Sequence, residues 1–221
     1  MERHTRPADI ERTSMAIIAE ELAQRGIALP EENAAVVQRV IHATADFDYA
    51  DNLRFTEHAV ALGVAALRRG VPIVTDTNMA KAGISKPSLE KLNGDVHCFM
   101  ADAEVAALAR RNGTTRAVAS MERAAQLFPE AILAVGNAPT ALLTIAEQIE
   151  SGLRPALVIG VPVGFVNVVE SKTRVLAVCR AHGVPAIVAL GRKGGSNVSA
   201  AICNALLYTA ANALDPVQRG W

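Results

Sequence analysis

The chain is poor in aromatic residues and in cysteine. Only eight of its 221 residues are aromatic, and the basic residues do not form a stripe with aromatics between them, so nucleic-acid binding is not expected. Cys98, Cys179 and Cys203 stand alone in apolar surroundings without CxxC spacing. This pattern argues against a disulfide framework and against a zinc site, and we expect small core residues in a reducing compartment.

An excess of charge and a long apolar run are also missing. The 22 basic and 22 acidic side chains cancel, so any anion-binding site must be local. Residues 1–9 are polar and lack the apolar run of a secretory signal, and no stretch approaches the roughly 20 apolar residues of a membrane helix. These features predict a soluble, cytoplasmic protein with neither membrane nor nucleic acid as a partner.

Familiar catalytic and nucleotide motifs are absent from the sequence. There is no HExxH, GxSxG or DxDxDG, and the five histidines show no metal-ligand spacing. Residues 191–196 (GRKGGS) come nearest to a phosphate loop, but they have neither GxxxxGK[ST] nor GxGxxG spacing. We therefore expect no protein-bound metal, and a nucleotide-dependent α/β enzyme is a weak alternative.

The apolar residues that are present are mainly Ala, Val, Leu and Ile, which suits helices packed on a buried parallel sheet. Five apolar runs are predicted strands, at 72–75, 96–99, 131–135, 156–159 and 186–190. Helices are predicted between and after them, near 103–111, 115–127, 138–150, 170–182 and 196–211. This alternation predicts an α/β fold, with an open, mostly parallel sheet and helices on both faces.

We expect a single domain over residues 1–221, since no linker separates a second apolar pattern. It would comprise a helical segment at about 10–70, parallel βα units at about 71–212 and a loosely held tail at 213–221. Within the first segment, helices are predicted at 10–24, at 31–40, and at 56–69 with Thr56 as N-cap.

Arg39 and His42 are separated by three residues, which places both side chains on one face of the second helix. His42 lies close to the helix C-terminus, where the helix dipole favours the protonated imidazole, while Arg39 disfavours it. The pair alone fits a surface charge beside a structural histidine better than it fits an active site.

Polar and glycine-rich segments follow four of the predicted strands, at 76–79, 136–140, 160–166 and 191–197. Ligands of open parallel sheets bind beyond the carboxyl ends of the strands, so these loops are candidate binding elements. Residues 170–172 (ESK) could form a catalytic trio, although a helix cap and a solvated charge explain them more simply.

Taken in order, residues 39–43 (RVIHA), 136–142 (GNAPTAL), 160–166 (GVPVGFV), 170–172 (ESK) and 191–196 (GRKGGS) resemble the precorrin-8X methylmutases of cobalamin biosynthesis. The resemblance runs from about residue 14 to residue 207. It implies a flavodoxin-like α/β homodimer with active sites at the subunit interface. The implied reaction is a 1,5-sigmatropic shift of a methyl group from ring carbon 11 to ring carbon 12 of a tetrapyrrole, which needs no cofactor.

The resemblance also assigns roles to individual residues. It makes His42 the acid/base catalyst, because an imidazole titrates near neutral pH. The implied substrate-binding residues are Ser14, Arg39, Ser85, Arg116, Asn137 and Thr140. For all of these except Arg39 a local alternative stays open, namely a helix cap, a back-bond to the helix, a turn or a surface charge.

A carrier that binds a corrinoid without turnover is an alternative from another functional class. The sequence leaves open whether the substrate, precorrin-8X or cobalt-precorrin-8, contains cobalt.

Overall fold

The structure is a computed structural model that describes residues 6–219. The predicted α/β fold is confirmed, since helices surround a six-stranded, mostly parallel sheet. The strands are β1 (Leu53–Phe55), β2 (Ile73–Thr75), β3 (Val96–His97), β4 (Ile132–Val135), β5 (Leu157–Gly160) and β6 (Ala186–Ala189).

Helices precede the sheet, connect its strands and follow it. They are α1 (Pro7–Gln24), α2 (Glu31–Thr44), α3 (Tyr49–Asn52), α4 (Ala59–Arg68), α5 (Asn78–Gly83), α6 (Lys86–Lys91), α7 (Ala103–Arg111), α8 (Arg116–Leu127), α9 (Pro139–Glu150), α10 (Val168–Ala181) and α11 (Ser196–Ala210). A short 3₁₀ helix, Pro216–Arg219, follows α11. No helix within residues 6–219 has the length and apolar character that a membrane crossing requires.

The strand order is β1-β6-β5-β4-β2-β3, and only the β1–β6 pair is antiparallel. When β2 is counted as the first parallel strand, the order of the parallel strands is 2-1-3-4-5, which is that of flavodoxin-like folds. After β2 the chain first adds β3 on one side of β2 and then crosses to add β4 on the other side, so the strand order reverses between β2 and β4. The carboxyl ends of these two strands therefore form the point where such folds bind ligands.

Two cores cover the two faces of the sheet, because side chains alternate along each strand. Ile73, Ile132 and Leu157 face the side that α1, α2, α4 and α11 cover. Val74 and Leu133 face the side that α8, α9 and α10 cover. All five side chains are fully or almost fully buried, as the predicted apolar runs require.

Strand β1 was missed by the sequence analysis. It is three residues long and pairs as an edge strand with β6, with Leu53 opposite Ala189. The helix predicted at 56–69 begins later, at Ala59, and the predicted N-cap is wrong. Thr56 instead accepts a hydrogen bond through Oγ1 from the backbone N–H of Ala186, 2.8 Å away, and so extends the β1–β6 pairing.

The predicted loose tail is tied to α1 over its described part. Arg12 donates to both carboxylate oxygens of Asp215, at 2.8 and 2.7 Å. Arg219, in the 3₁₀ helix, forms an ion pair with Glu11. Residues 220–221, and residues 1–5 of the predicted polar N-terminus, lie outside the described part of the chain.

Candidate active site

His42 lies in the last turn of α2, on the side of the helix that faces solvent. The opposite side of α2 is buried against α11 through Val36, Val37, Val40 and Ile41. The helix ends two residues after His42, at Thr44, and the C-cap residue Ala45 adopts a left-handed conformation with φ of 54°. No group among residues 6–219 hydrogen-bonds the imidazole, which leaves both ring nitrogens available to a ligand.

Partial burial lowers the pKa of His42, and the positive charge of Arg39 lowers it further. Glu11 opposes this shift, whereas Arg219 adds to it. The sequence left open whether the helix dipole or the neighbouring cation would dominate. The lowered pKa favours the neutral imidazole, which can accept a proton near neutral pH.

Arg39 is half of a pair of guanidinium groups that share one carboxylate. Its Nη2 donates to Oε1 of Glu11 at 2.6 Å, and Nη2 of Arg219 lies 2.5 Å from the same oxygen. Both guanidinium groups also lie over the ring of Tyr208, at 5.2 and 4.2 Å from its centroid. The two cations lower the pKa of Glu11 against the effect of its burial. The group carries a net positive charge beside His42.

Ser14 and Ser85 flank this charged group. Ser14 donates through Oγ to the carbonyl of Ile10 at 2.8 Å, which is the helix back-bond left open by the sequence. Ser85 precedes α6, and its backbone N–H donates to Oδ1 of Asn204 at 2.8 Å. Ser85 lines a cavity of about 320 Å³ that Tyr208 and Arg219 also line, so it adjoins the Arg39 side of the site.

Asp76 lies at the carboxyl end of β2, at the point between β2 and β4 where the strand order reverses. Its carboxylate accepts the backbone N–H groups of Gly136, Asn137 and Ala138, each at 2.8 Å. Burial raises the pKa of Asp76, and these three hydrogen bonds oppose the increase. Amides in this position bind phosphate in many nucleotide-binding α/β proteins. Here an internal carboxylate occupies them, which counts against a nucleotide at this point.

Arg116, Asn137 and Thr140 form a second group, at the loop that follows β4. Asn137 is exposed, and only its backbone N–H is bonded to Asp76. Thr140 lies in the first turn of α9, with its Oγ1 3.3 Å from Oγ1 of Thr115. Thr115 caps α8 and immediately precedes the exposed Arg116. The sequence-predicted residues are thus gathered in two groups.

Lys193 connects the end of α2 with the carboxyl ends of the strands in the same chain. Its Nζ lies 2.6 Å from Oδ2 of Asp46 and 2.7 Å from Oδ2 of Asp48, in the segment that follows α2. Lys193 itself belongs to the loop that follows β6. The pKa of Asp46 is lowered by this contact. The helix that carries His42 therefore ends beside the strand-end loops.

Lys172 contradicts its interpretation as a solvated charge, whereas Glu170 is exposed in the first turn of α10. Its side chain is fully buried, and Nζ donates to the carbonyl oxygens of Gly191 and Lys193 at 2.9 and 2.7 Å. Burial lowers the pKa of Lys172 to about 8. The lysine therefore binds the backbone of the loop that follows β6 from the interior of the protein.

An apolar surface is exposed in the loop that follows β5. Val163, Phe165 and Val166 expose 48, 83 and 77% of their surface, respectively. The guanidinium of Arg192 lies 5.5 Å from the ring centroid of Phe165. This surface therefore combines exposed apolar side chains with a cation at its margin.

The sequence analysis did not name Glu11 or Arg219, and it included Asp76 and Lys172 only as members of the candidate segments 76–79 and 170–172, without the contacts described above. Two of them left a signal. Glu11 lies one turn before Ser14 on α1. Lys172 falls on the stripe of α10 that also contains Val168, Val175 and Cys179, so helical spacing alone places it on the buried face. Asp76 and Arg219 left none, because their partners are distant in sequence.

Comparison with known proteins decides the family. The family model described as precorrin-8X methylmutase matches residues 9–209. A cobalt-precorrin-8 methylmutase of Leptospira interrogans is 42% identical over 204 residues, which are 90% of this chain and 92% of that protein. The chain belongs to the precorrin-8X methylmutase family.

Other members of the precorrin-8X methylmutase family agree in sequence and in fold. A precorrin-8X methylmutase of Pseudomonas aeruginosa is 41% identical over 198 residues, covering 89% of this chain and 93% of its own. The crystal structure of the precorrin-8X methylmutase from Thermus thermophilus superposes with a TM-score of 0.82 at 40% identity, covering 92% of this chain and 98% of that one.

The methylmutase match includes Glu11, Arg39, His42 and Lys172 together with all four strand-end loops, whereas Arg219 lies beyond it. Of the Arg219–Glu11 pair, only Glu11 therefore lies within the matched region. Family membership identifies the chain as an isomerase of cobalamin biosynthesis.

Proposed function

We propose that this chain moves a methyl group from ring carbon 11 to ring carbon 12 of precorrin-8X, giving hydrogenobyrinate, or of cobalt-precorrin-8, giving cobyrinate. The observation that carries the proposal is the family match over residues 9–209, which includes a solvent-facing His42 beside Arg39. The bond from the methyl group to carbon 11 breaks as the bond to carbon 12 forms, so no external methyl donor is consumed.

His42 would move a proton at a ring nitrogen and so select the tautomer that rearranges. Its lowered pKa favours an imidazole that first accepts a proton and later returns it. The histidine has no competing hydrogen bond among residues 6–219, and it lies in a region of positive charge that attracts a polycarboxylate.

The macrocycle would rest on the exposed apolar surface formed by Val163, Phe165 and Val166. Arg39 and Arg192 would meet carboxylates at the margin of the ring. Ser14, Ser85, Arg116, Asn137 and Thr140 stay proposed contacts of the substrate. All five precede this surface in sequence, and the side chain of Asn137 is exposed to solvent.

We also propose a homodimer in which the partner subunit covers the site, in the cytoplasm of the cell. In a single subunit His42 and Phe165 face solvent, which leaves a large apolar ring exposed on one side. A second copy that covers the exposed apolar surface would exclude water from the ring.

Purified protein incubated with precorrin-8X should develop the absorption spectrum of the corrin product over many turnovers. A His42→Ala variant should lose about 100-fold or more in kcat, since positioned acid/base groups contribute that much. His182→Ala, which changes the residue that closes α10, is the matched control and should keep wild-type activity. A His42→Ala variant as fast as wild type would overturn the proposed role of His42.

The same experiment distinguishes the enzyme from a corrinoid carrier. An enzyme converts substrate in excess over protein, whereas a carrier only binds one equivalent. Parallel reactions with precorrin-8X and cobalt-precorrin-8 identify the preferred substrate, since the names of the relatives divide between the two.

A further inference from the structure

Lys172 is a buried cation without a carboxylate partner among residues 6–219. It lies in the second turn of α10, between the buried side chains of Val168 and Val175. Burying a charged amine without an opposite charge is costly, and the two carbonyl groups that Lys172 reaches offset that cost only in part. Hydrophobic packing would favour an apolar residue at this position. The buried charge must therefore be explained by the two loop carbonyl groups that it binds.

Lys172 orients two peptide groups of the loop that follows β6, so that both of their carbonyl groups point toward its amine. A trans peptide carries its N–H on the side opposite to its C=O. Because Lys172 draws the carbonyl groups of Gly191 and Lys193 toward the interior, the N–H groups of Arg192 and Gly194 point the other way. Neither N–H donates to a backbone carbonyl within the described residues.

Neighbouring segments hold the rest of the same loop. The N–H of Gly195 donates to the carbonyl of Val161 at 2.8 Å, and the N–H of Gly164 donates to the carbonyl of Arg192 at 3.3 Å. Lys193 is bound from outside by two aspartates of the segment after α2. Lys172 binds the loop from the interior of the protein. Its removal would leave the carbonyl groups of Gly191 and Lys193 without these hydrogen bonds.

The outward side of this turn adjoins the exposed apolar surface through Arg192, whose guanidinium lies near the ring of Phe165. Backbone N–H groups that point to the same side beside a guanidinium form an environment suited to a carboxylate. A carboxylate at the margin of a ring seated on Phe165 would meet these donors.

We propose that Lys172 is a positioning residue that fixes residues 191–194, so that the amides of Arg192 and Gly194 and the guanidinium of Arg192 bind a peripheral carboxylate of the substrate. This inference rests on the proposed function, because it takes the substrate to be a tetrapyrrole carboxylate. Lys172 itself does not touch the substrate.

The test is a Lys172→Met variant of the full chain, which keeps the length of the side chain and removes its donors. We expect the variant to fold, to raise KM and the Kd for hydrogenobyrinate about tenfold or more, and to change kcat less. Wild type should bind hydrogenobyrinate more tightly than the same corrin with its carboxylates amidated, and Lys172→Met should reduce that preference. Amide hydrogen exchange of residues 191–194 in the free protein should become faster.

Val175→Ala, which removes buried volume one turn further along α10, is the matched control. It should lower stability without changing the acid-to-amide preference or the exchange of the loop. The inference is overturned when Lys172→Met keeps the wild-type preference, or when both variants lose affinity in proportion to their loss of stability. Wild-type protein that neither binds nor converts a corrinoid would instead refute the proposed function, and loop exchange in Lys172→Met would still test whether Lys172 fixes the turn.

Discussion

Glu11 limits how Arg39 could act in its proposed role as a substrate contact. In the free protein Arg39 already donates to Glu11, so a substrate carboxylate must compete with that internal one or use the remaining donors of the guanidinium. Arg219 pairs with the same oxygen of Glu11 and so weakens the interaction of that oxygen with Arg39. The residue-level chemistry of the site is therefore a balance between one carboxylate and two guanidinium groups.

The titration of His42 should report this balance. Replacing Arg39 with Gln removes a nearby cation and should raise the pKa of His42, whereas Glu11→Gln removes an anion and should lower it. Wild-type His42 should titrate below its ordinary value of 6.5, as followed by NMR of the imidazole. With His42 as the proton acceptor, kcat/KM should fall as pH decreases through that pKa.

Arg154→Gln is the control for this titration, because Arg154 donates to the carbonyl groups of Ile149 and Leu153 and is absent from the charges that act on His42. It should leave the pKa of His42 unchanged. Shifts of the same sign in Arg39→Gln and Glu11→Gln would contradict the electrostatic account.

At the scale of elements, sequence predicted what depends on local pattern. The helices at α7 to α11 and the five parallel strands follow from periodicity and apolar runs, and they were found within a few residues. Strand β1 was missed because three residues carry no periodicity and its partner β6 lies more than 130 residues away. Thr56 was misread for the same reason, since its acceptor role depends on β6.

The site residues divide in the same way. Arg39 and His42 share a helix face, so spacing predicted their proximity, and His42 was placed correctly at the end of α2. The contacts between Arg39, Glu11 and Arg219 depend on how α1, α2 and the 3₁₀ helix pack, which spacing within one helix does not contain.

Close contact between the loops after β5 and β6 requires glycine at position 194. A Cβ there would collide with the carbonyl oxygens of Val161 and Pro162. We therefore expect Gly194→Ala to push the two loops apart, to lower the free energy of unfolding by about 1–3 kcal/mol and to raise KM. Denaturant unfolding and steady-state kinetics measure both effects.

Gly183→Ala is the control for this substitution. Gly183 has φ of 65° but no heavy atom within 4 Å of its added Cβ, so only backbone strain of about 1 kcal/mol is expected. Its KM should stay at the wild-type value. Equal effects of the two alanine substitutions on KM would show that collision with Val161 and Pro162 is not the cause.

For the whole molecule, the exposed apolar surface is the feature that the fold leaves unexplained. The two cores bury the apolar residues of the strands and helices efficiently, yet Phe165 and Val166 remain 83 and 77% exposed at the end of the sheet that carries the site. A stable interface buries about 800 Å² per subunit, so these residues would form only its centre. The same residues are the proposed floor for the macrocycle.

Sedimentation velocity tests whether the surface of Phe165 and Val166 forms the dimer interface or only binds substrate. We expect wild type to sediment as a dimer, and a Phe165→Asp, Val166→Asp variant to sediment as a monomer with unchanged circular dichroism, because two buried carboxylates without partners would oppose association. Leu127→Asp, on α8, changes a side chain that is 52% exposed away from the strand-end loops and should remain dimeric. Wild type that sediments as a monomer would remove the dimer from the proposal. A double variant that stays dimeric but no longer binds hydrogenobyrinate would assign Phe165 and Val166 to the substrate floor, with the subunit interface elsewhere.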